Sequence, residues 1–343
     1  MSNERLTLEE VAREAGVSLA TADRVINRRQ GVRAKTVAQV ERAILKLGYR
    51  TNAAAARLAR NRRHRFAFIL PSSVNPFMEQ LAAQASKTAE WLELQQAYVD
   101  VLRVDVFDPA ALAAALRDLP HVYDGVAVVA LDHPAVRAAI DDLTDRSVHV
   151  VTLVSDTPSA RRAHYVGIDN PAAGRTAASL MGRFLARRPG HVAVIVGSMT
   201  LRDHSERHFG FLQVLSGEYP HLQTLPALEG RDDPELNEAI VTSLLRQSPD
   251  LVGIYNVGAG NEGIVAALEN SGRAGDLVWI AHELTPKARR WLMNGHVDAI
   301  INQDAGHEVR SAARILLARC ERTPILLDQE RIRIEIFLRD NLP

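Results

Sequence analysis

The chain has 343 residues, too many for one ordinary domain and enough for two or three that each bury a core. Basic and acidic side chains balance at 41 each, yet residues 1–65 hold 15 Lys/Arg against 6 Asp/Glu and the remainder 26 against 35. A cationic head on an anionic body suits phosphate contact at one end, and a single cysteine, Cys320, excludes an intramolecular disulfide and fits a reducing compartment.

The N-terminus, MSNERLTLEE, has no apolar centre of the kind a secretory signal needs, and no apolar run approaches the roughly 18 residues that span a bilayer, so a cytoplasmic protein with no membrane partner is expected. Thr7 to Ala15 and Ser18 to Asn27 are predicted as two short helices around a turn at Gly16. Thr7 with Glu10 makes a capping box and Ser18 caps the second helix. Val11, Ala15, Val17, Ala22, Val25 and Ile26 supply the packing face and leave Leu19, Ala20, Thr21, Asp23 and Arg24 outward. That is a helix-turn-helix with its outward set offered to a major groove. A third helix is predicted from about Ala34 to Leu47, stopped by Gly48. The stretch NAAAARLARNRRHR has high helix propensity but only Leu58 as a large apolar residue, which suits a segment that orders when docked.

From Phe66 onward, apolar runs alternate with helical stretches: RFAFIL, VDVLRV, GVAVVA and VHVVTL in one series, then HVAVIV, a run near Leu222 to Leu228, LVGIYNV, LVWIA and VDAII in a second. The helix from Gly306 to Arg319 closes the second series. The fold class expected is α/β, with parallel sheets covered on both faces and two similar lobes whose post-strand loops line a cleft.

Those loops deliver polar residues one strand end at a time. Asn75 and Phe77 follow the first strand, an amide beside an aromatic, as a polyhydroxylated ring requires. The competing reading makes Pro76 a helix start and Phe77 a core residue. Further loops offer Asp132 and His133, Ser155 and Asp156, Arg207, Asn256, His282 and Glu283, and Gln303 and Asp304. Gly258-Ala-Gly260-Asn-Glu-Gly263 fits G-x-G-x-x-G after a strand, with Glu283 near the place of a ribose-binding acid, and is the best case for a dinucleotide enzyme. The same glycines would serve a tight strand-to-helix turn. No P-loop, nucleophile elbow or zinc motif is present, so neither a metal nor a cofactor is expected.

The segment TLEEVAREAGVSLATADRVINRRQGVRAKTVAQVERAILKLGYRTNAAAARLA resembles the head and hinge of the LacI/GalR family of bacterial transcription regulators. The body from about Arg65 resembles, more loosely, the family's periplasmic-binding-protein-like sugar domain. The resemblance implies a helix-turn-helix head over residues 1–50, a hinge helix over 51–64 and a dimerising effector domain over 65–343. It places Leu19, Ala20 and Arg24 as base readers, with only Arg24 able to contact guanine bidentately. Leu58 stands at the position of the family's minor-groove wedge. Ser18, Thr21, Asn27, Arg33, Asn52 and Ala55 complete the implied DNA-facing set. For the effector, Asn75, Phe77, Ser155 or Asp156, Arg207, Asn256, Glu283 and Gln303 are implied contacts, with Asp132 added from the loop reading.

Ala22 and Asp23 depart from the family's Val and Ser, and Thr51 from its hinge proline. Asp132-His133 and His282-Glu283 do not match a ribose binder. The expectation is a sugar-responsive regulator, most readily a repressor, acting as a homodimer on a pseudo-palindromic operator. A non-sugar effector such as a nucleobase or cyclitol, and a dinucleotide-dependent enzyme with an appended head, are the alternatives.

Overall fold

The computed structural model describes residues 6–26, 30–49, 63–72, 75–105 and 107–343. The chain divides into two compact units, residues 1–62 and 63–343. Asn27, Thr51, Asn52, Ala55 and Leu58, and with them most of the expected hinge helix, lie outside the described residues. His64, assigned to that hinge from the sequence, instead opens the first strand of the body.

Among its described residues the head holds three helices, α1 (Leu8–Glu14), α2 (Leu19–Ile26) and α3 (Ala34–Leu47). Thr7 and Glu10 form the expected capping box, with Thr7 N donating to Glu10 Oε2 at 2.6 Å. Gly16 turns the chain at φ +64° and Gly48 ends α3 at φ +65°, both in the left-handed region where a Cβ is penalised. Val11, Val25, Val40 and Ala43 are the small buried core, with Ala15, Val17 and Ile26 packed around it.

In the body, the first sheet has the order β2-β1-β3-β4-β5, all parallel, from β1 (His64–Pro71), β2 (Ala97–Val104), β3 (Gly125–Val128), β4 (His149–Leu153) and β5 (His164–Val166). Alternation along β1 assigns its two faces. Phe66, Phe68 and Leu70 join one core and Ala67 and Ile69 the other, as strands covered on both sides require. The second face is covered by α5 (Pro109–Arg117) and α6 (Pro134–Asp145). The first is covered by α4 (Pro76–Glu93) and, unexpectedly, by α12 (Ala305–Glu321), the helix that the order of elements had given to the second series. Val309, Ala312, Ala313 and Leu316 of α12 share one core with Phe68, Leu81 and Val151.

The second sheet runs β12-β11-β10-β9-β6-β7, with β8 (Leu228–Glu229) also on β6. Its parallel members are β6 (Gly190–Val196), β7 (Leu222–Thr224), β9 (Leu251–Asn256), β10 (Val278–His282) and β11 (Ala299–Asn302), and β12 (Glu335–Phe337) is antiparallel at the edge. Helices α7 (Asn170–Phe184) and α8 (Arg202–Glu218) cover one face, and α9 (Pro234–Gln247), α10 (Asn261–Asn270) and α11 (Pro286–Asn294) the other. Strands β5 and β12 and helix α7 were not foreseen. The chain passes between lobes three times: from β5 into α7, from β11 into α12, and from α12 back to β12.

No helix among the described residues is long and apolar enough to cross a membrane.

Candidate functional site

On the head, Ser18 Oγ accepts from Thr21 N at 3.2 Å and so caps α2, which carries an apolar face inward and a polar one outward. Ala22 and Val25 are buried, while Ser18, Ala20 and Arg24 are exposed and Leu19 is 45% exposed. Arg33, exposed ahead of α3, adds a cation to this unit.

The body holds a cleft between its lobes, lined by residues of both, as small-molecule sites commonly are. Of the effector residues read from the sequence, Asn75, Phe77, Arg207, Glu283 and Gln303 line it. Both readings of Phe77 apply: Pro76 opens α4, Phe77 belongs to the core, and its surface still faces the cleft.

Arg207 is held by packing that begins with two glycines. A Cβ on Gly174 would lie 1.9 Å from Arg207 O, and one on Gly210 2.1 Å from Pro171 O, so α7 and α8 touch backbone to backbone. The guanidinium is then fixed by Nε donating to Asn170 Oδ1 at 2.8 Å and Nη1 to Val257 O at 3.2 Å. Nη2 has no hydrogen-bond partner and stands 4.0 Å from Asp203 Oδ2. Asp203, His204, His282, Trp291 and the loop Gly258–Asn261 complete much of the wall. The sequence did carry a signal for Asp203, which lies four residues before Arg207 and so shares its helix face.

Glu283 is partly buried, and removal from water pushes its carboxyl up to about 7 against the opposing pull of Arg207 and a 2.9 Å bond from Gln303 Nε2. Its φ of +68° and the +64° of Val154, on the facing lobe, put two non-glycine residues of the cleft wall in the left-handed region. Such conformations cost on the order of 1–3 kcal/mol each and concentrate at ligand sites. Behind the wall, Glu308 of α12 is fully buried with neither carboxylate oxygen hydrogen-bonded, and burial reinforced by the nearby Glu283 charge raises its pKa well above the usual value.

Asp132, Ser155, Asp156 and Asn256 do not line the cleft. Asp132 accepts from Arg137, Thr157 and, across the lobes, Arg202. Asp156 is clamped by Arg162, with Nη2 to Oδ2 at 2.6 Å, and Ser155 is fully buried beside it. Asn256 stitches the glycine loop, donating to Ala259 O at 2.9 Å and Asn261 Oδ1 at 2.7 Å. His133 and Asp304 cap α6 and α12.

The G-x-G-x-x-G motif is explained by packing. Gly260 caps α10 at φ +76°, and a Cβ on Gly263 would lie 1.7 Å from Pro234 O. Ala259 N, ahead of the helix, already donates to Asp232 Oδ1 at 2.9 Å. A carboxylate therefore stands where a pyrophosphate would have to bind.

A match to the periplasmic binding protein domain family covers residues 66–322, and residues 7–52 match the bacterial regulatory proteins of the lacI family. The chain belongs to the first family and carries the head of the second. The head region is similar to catabolite control protein A of Staphylococcus xylosus, 44% identical over 77 residues, and of Staphylococcus aureus strain COL, 43% identical over 77 residues. These alignments span 22% of this chain and 23% of either relative, under a quarter of each. The body shares its fold with GanP, a glucose-galactose binding protein from Geobacillus stearothermophilus, at a TM-score of 0.72 and 19% identity over 82% of this chain and 99% of that one. It also resembles an ABC transporter solute binding protein of Burkholderia graminis C4D1M solved with D-arabinose, at a TM-score of 0.73 and 24% identity over 81% and 96% of the two chains.

Proposed function

We propose that this protein is an effector-controlled DNA-binding transcriptional regulator, a repressor acting as a homodimer, whose effector is a small uncharged sugar or polyol held between the lobes. The observation that carries the reading is the fusion of a lacI-type head, with Leu19, Ala20 and Arg24 outward, to a body with a polar cleft. A dimer presents two heads about one axis, so the operator is pseudo-palindromic.

The chemistry of the wall supports a polyol. Asp203 Oδ1, Gln303 Oε1 and Arg207 Nη2 are buried polar atoms without protein partners, flanked by the rings of Phe77 and Trp291. Hydroxyls satisfy such donors and acceptors, and aromatic faces suit the C–H faces of a sugar. Charge argues against a phosphate ester. Arg207, the arginine of the wall, stands 4.0 Å from the Asp203 carboxylate, which opposes a second anion at that place. Control follows by linkage, since an effector that binds one body conformation better shifts the protein toward it and changes operator affinity by the same coupling.

The deciding measurement is a thermal-shift screen of the full chain against free pentoses, hexoses, polyols and sugar phosphates. It is followed by fluorescence anisotropy on a duplex selected from random sequence, with and without the hit. A free sugar that raises the Tm and changes duplex affinity is expected. Stabilisation by NAD(H) or by sugar phosphates alone would sink the proposal.

A further inference from the structure

His282, at the end of β10, is 2% exposed and lies on the cleft wall. Its Nε2 stands 2.8 Å from the Tyr255 hydroxyl, while Nδ1 is buried with no hydrogen-bond partner. Tyr255 is itself fully buried, its ring stacked on Phe211 at 4.7 Å, and its hydroxyl has no other hydrogen bond among the described residues.

The two proton arrangements of the pair leave different atoms unmatched. If Nε2–H donated, the tyrosine hydrogen would be left buried with no acceptor and no room for a ligand to supply one, an arrangement folded proteins avoid. If the hydroxyl donates, the hydroxyl and Nε2 are satisfied, the imidazole proton sits on Nδ1, and that N–H is the group left for a ligand on the cleft wall. Burial holds His282 well below the usual imidazole range, aided by Arg207, so the ring carries only that one proton. The neighbouring His204 has the opposite tautomer. Its Nδ1 accepts from Gly197 N at 3.0 Å, which leaves Nε2–H toward Asp203 Oδ2 at 3.6 Å.

We infer that His282 is an effector-binding residue that presents an Nδ1–H donor to the cleft, and that Tyr255 is the positioning residue that fixes it. This deepens, and rests on, the reading of the cleft as a polyol site. Beside the acceptors Asp203 Oδ1 and Gln303 Oε1, a fixed donor requires a ligand with an accepting oxygen at this point as well as hydroxyl hydrogens elsewhere. A ring oxygen or a second hydroxyl meets that requirement.

The test uses the full-length protein labelled with ¹⁵N-histidine, with the His282→Gln variant assigning the signal by its disappearance. Without ligand, a protonated Nδ1 and an unprotonated Nε2 are expected for His282, and a protonated Nε2 would overturn the inference. Tyr255→Phe should convert the ring to a tautomer mixture and weaken the free sugar found in the thermal-shift screen about five- to tenfold, the scale of one neutral hydrogen bond. A Tyr255→Phe protein with the wild-type tautomer would overturn the positioning role. A sugar that stabilises the protein yet leaves the His282 signals unmoved would overturn the contact while sparing the polyol reading. A screen in which no free sugar binds would overturn that reading, and the contact with it, whatever the tautomer.

Discussion

Asn75 of the first lobe donates its side-chain amide to Asp232 Oδ2 of the second at 2.8 Å, while its Oδ1 accepts from Phe77 N to start α4. One side chain thus caps a helix and ties the lobes together beside the cleft. The Asp132–Arg202 ion pair, at 3.1 Å, is a second tie.

That second tie separates closure from contact. Asp132→Asn should raise the effector Kd severalfold, the effect of weakening a partly exposed ion pair. Arg207→Ala, which removes a buried guanidinium from the wall itself, should abolish the effector response and leave effector-free operator binding intact. Calorimetric titration of both variants checks this, and equal losses would count against the division of roles.

On the head, Arg24→Ala is expected to cost about 1 to 3 kcal/mol on the specific duplex and to relax base preference at one position of each half-site. Arg33→Ala should weaken specific and random duplexes alike. Anisotropy titrations on matched and scrambled duplexes distinguish the two.

Glu283 gives the protein a pH signature. Its folded pKa of about 7 lies above the unfolded carboxylate value, so its contribution to stability is complete below pH ~4.5 and is lost as pH rises through about 7. The full loss is on the order of 3 kcal/mol. Glu283→Gln should therefore gain Tm relative to the wild type as pH rises from 5 to 8. A difference that stays flat across that interval would remove the weakly ionised carboxyl from the site.

Gly174→Ala should destabilise the body by about 1–3 kcal/mol, because the new methyl meets the Arg207 carbonyl with no side chain free to yield. Urea unfolding monitored at the tryptophans measures it. Gly217→Ala, on the same helix pair but with open space around it, is the control expected to change little or to stabilise.

These positions also show what could be read from the chain alone. The head was legible because caps, turn glycine and apolar period all lie within a few residues of one another. The alternation of strands and helices was equally local, and Asn75, Phe77, His282, Glu283 and Gln303 followed from the rule that ligands gather at strand ends, whereas Arg207 stands inside α8. Helix α7 escaped because NPAAGRTAASLMGRF lacks a stripe of large apolar residues; it packs through Gly174 against the α8 backbone instead. Asp132 and Asp156 misled for a related reason. A carboxylate at a strand end reads the same whether it meets a ligand or an arginine, and Arg202 and Arg162 are brought to it by tertiary structure.

Helix α12 has a consequence for how the molecule is made. The first lobe is begun before the second, yet the sheet face bearing Phe68 and Val151 stays partly bare until Ala312, Ala313 and Leu316 emerge after strands β6 to β11. The nascent first lobe must wait with that apolar surface exposed, a state prone to aggregate. Deleting the last forty residues would therefore damage the lobe nearest the N-terminus, and a ribosome stalled late would hold a body in which neither half is finished.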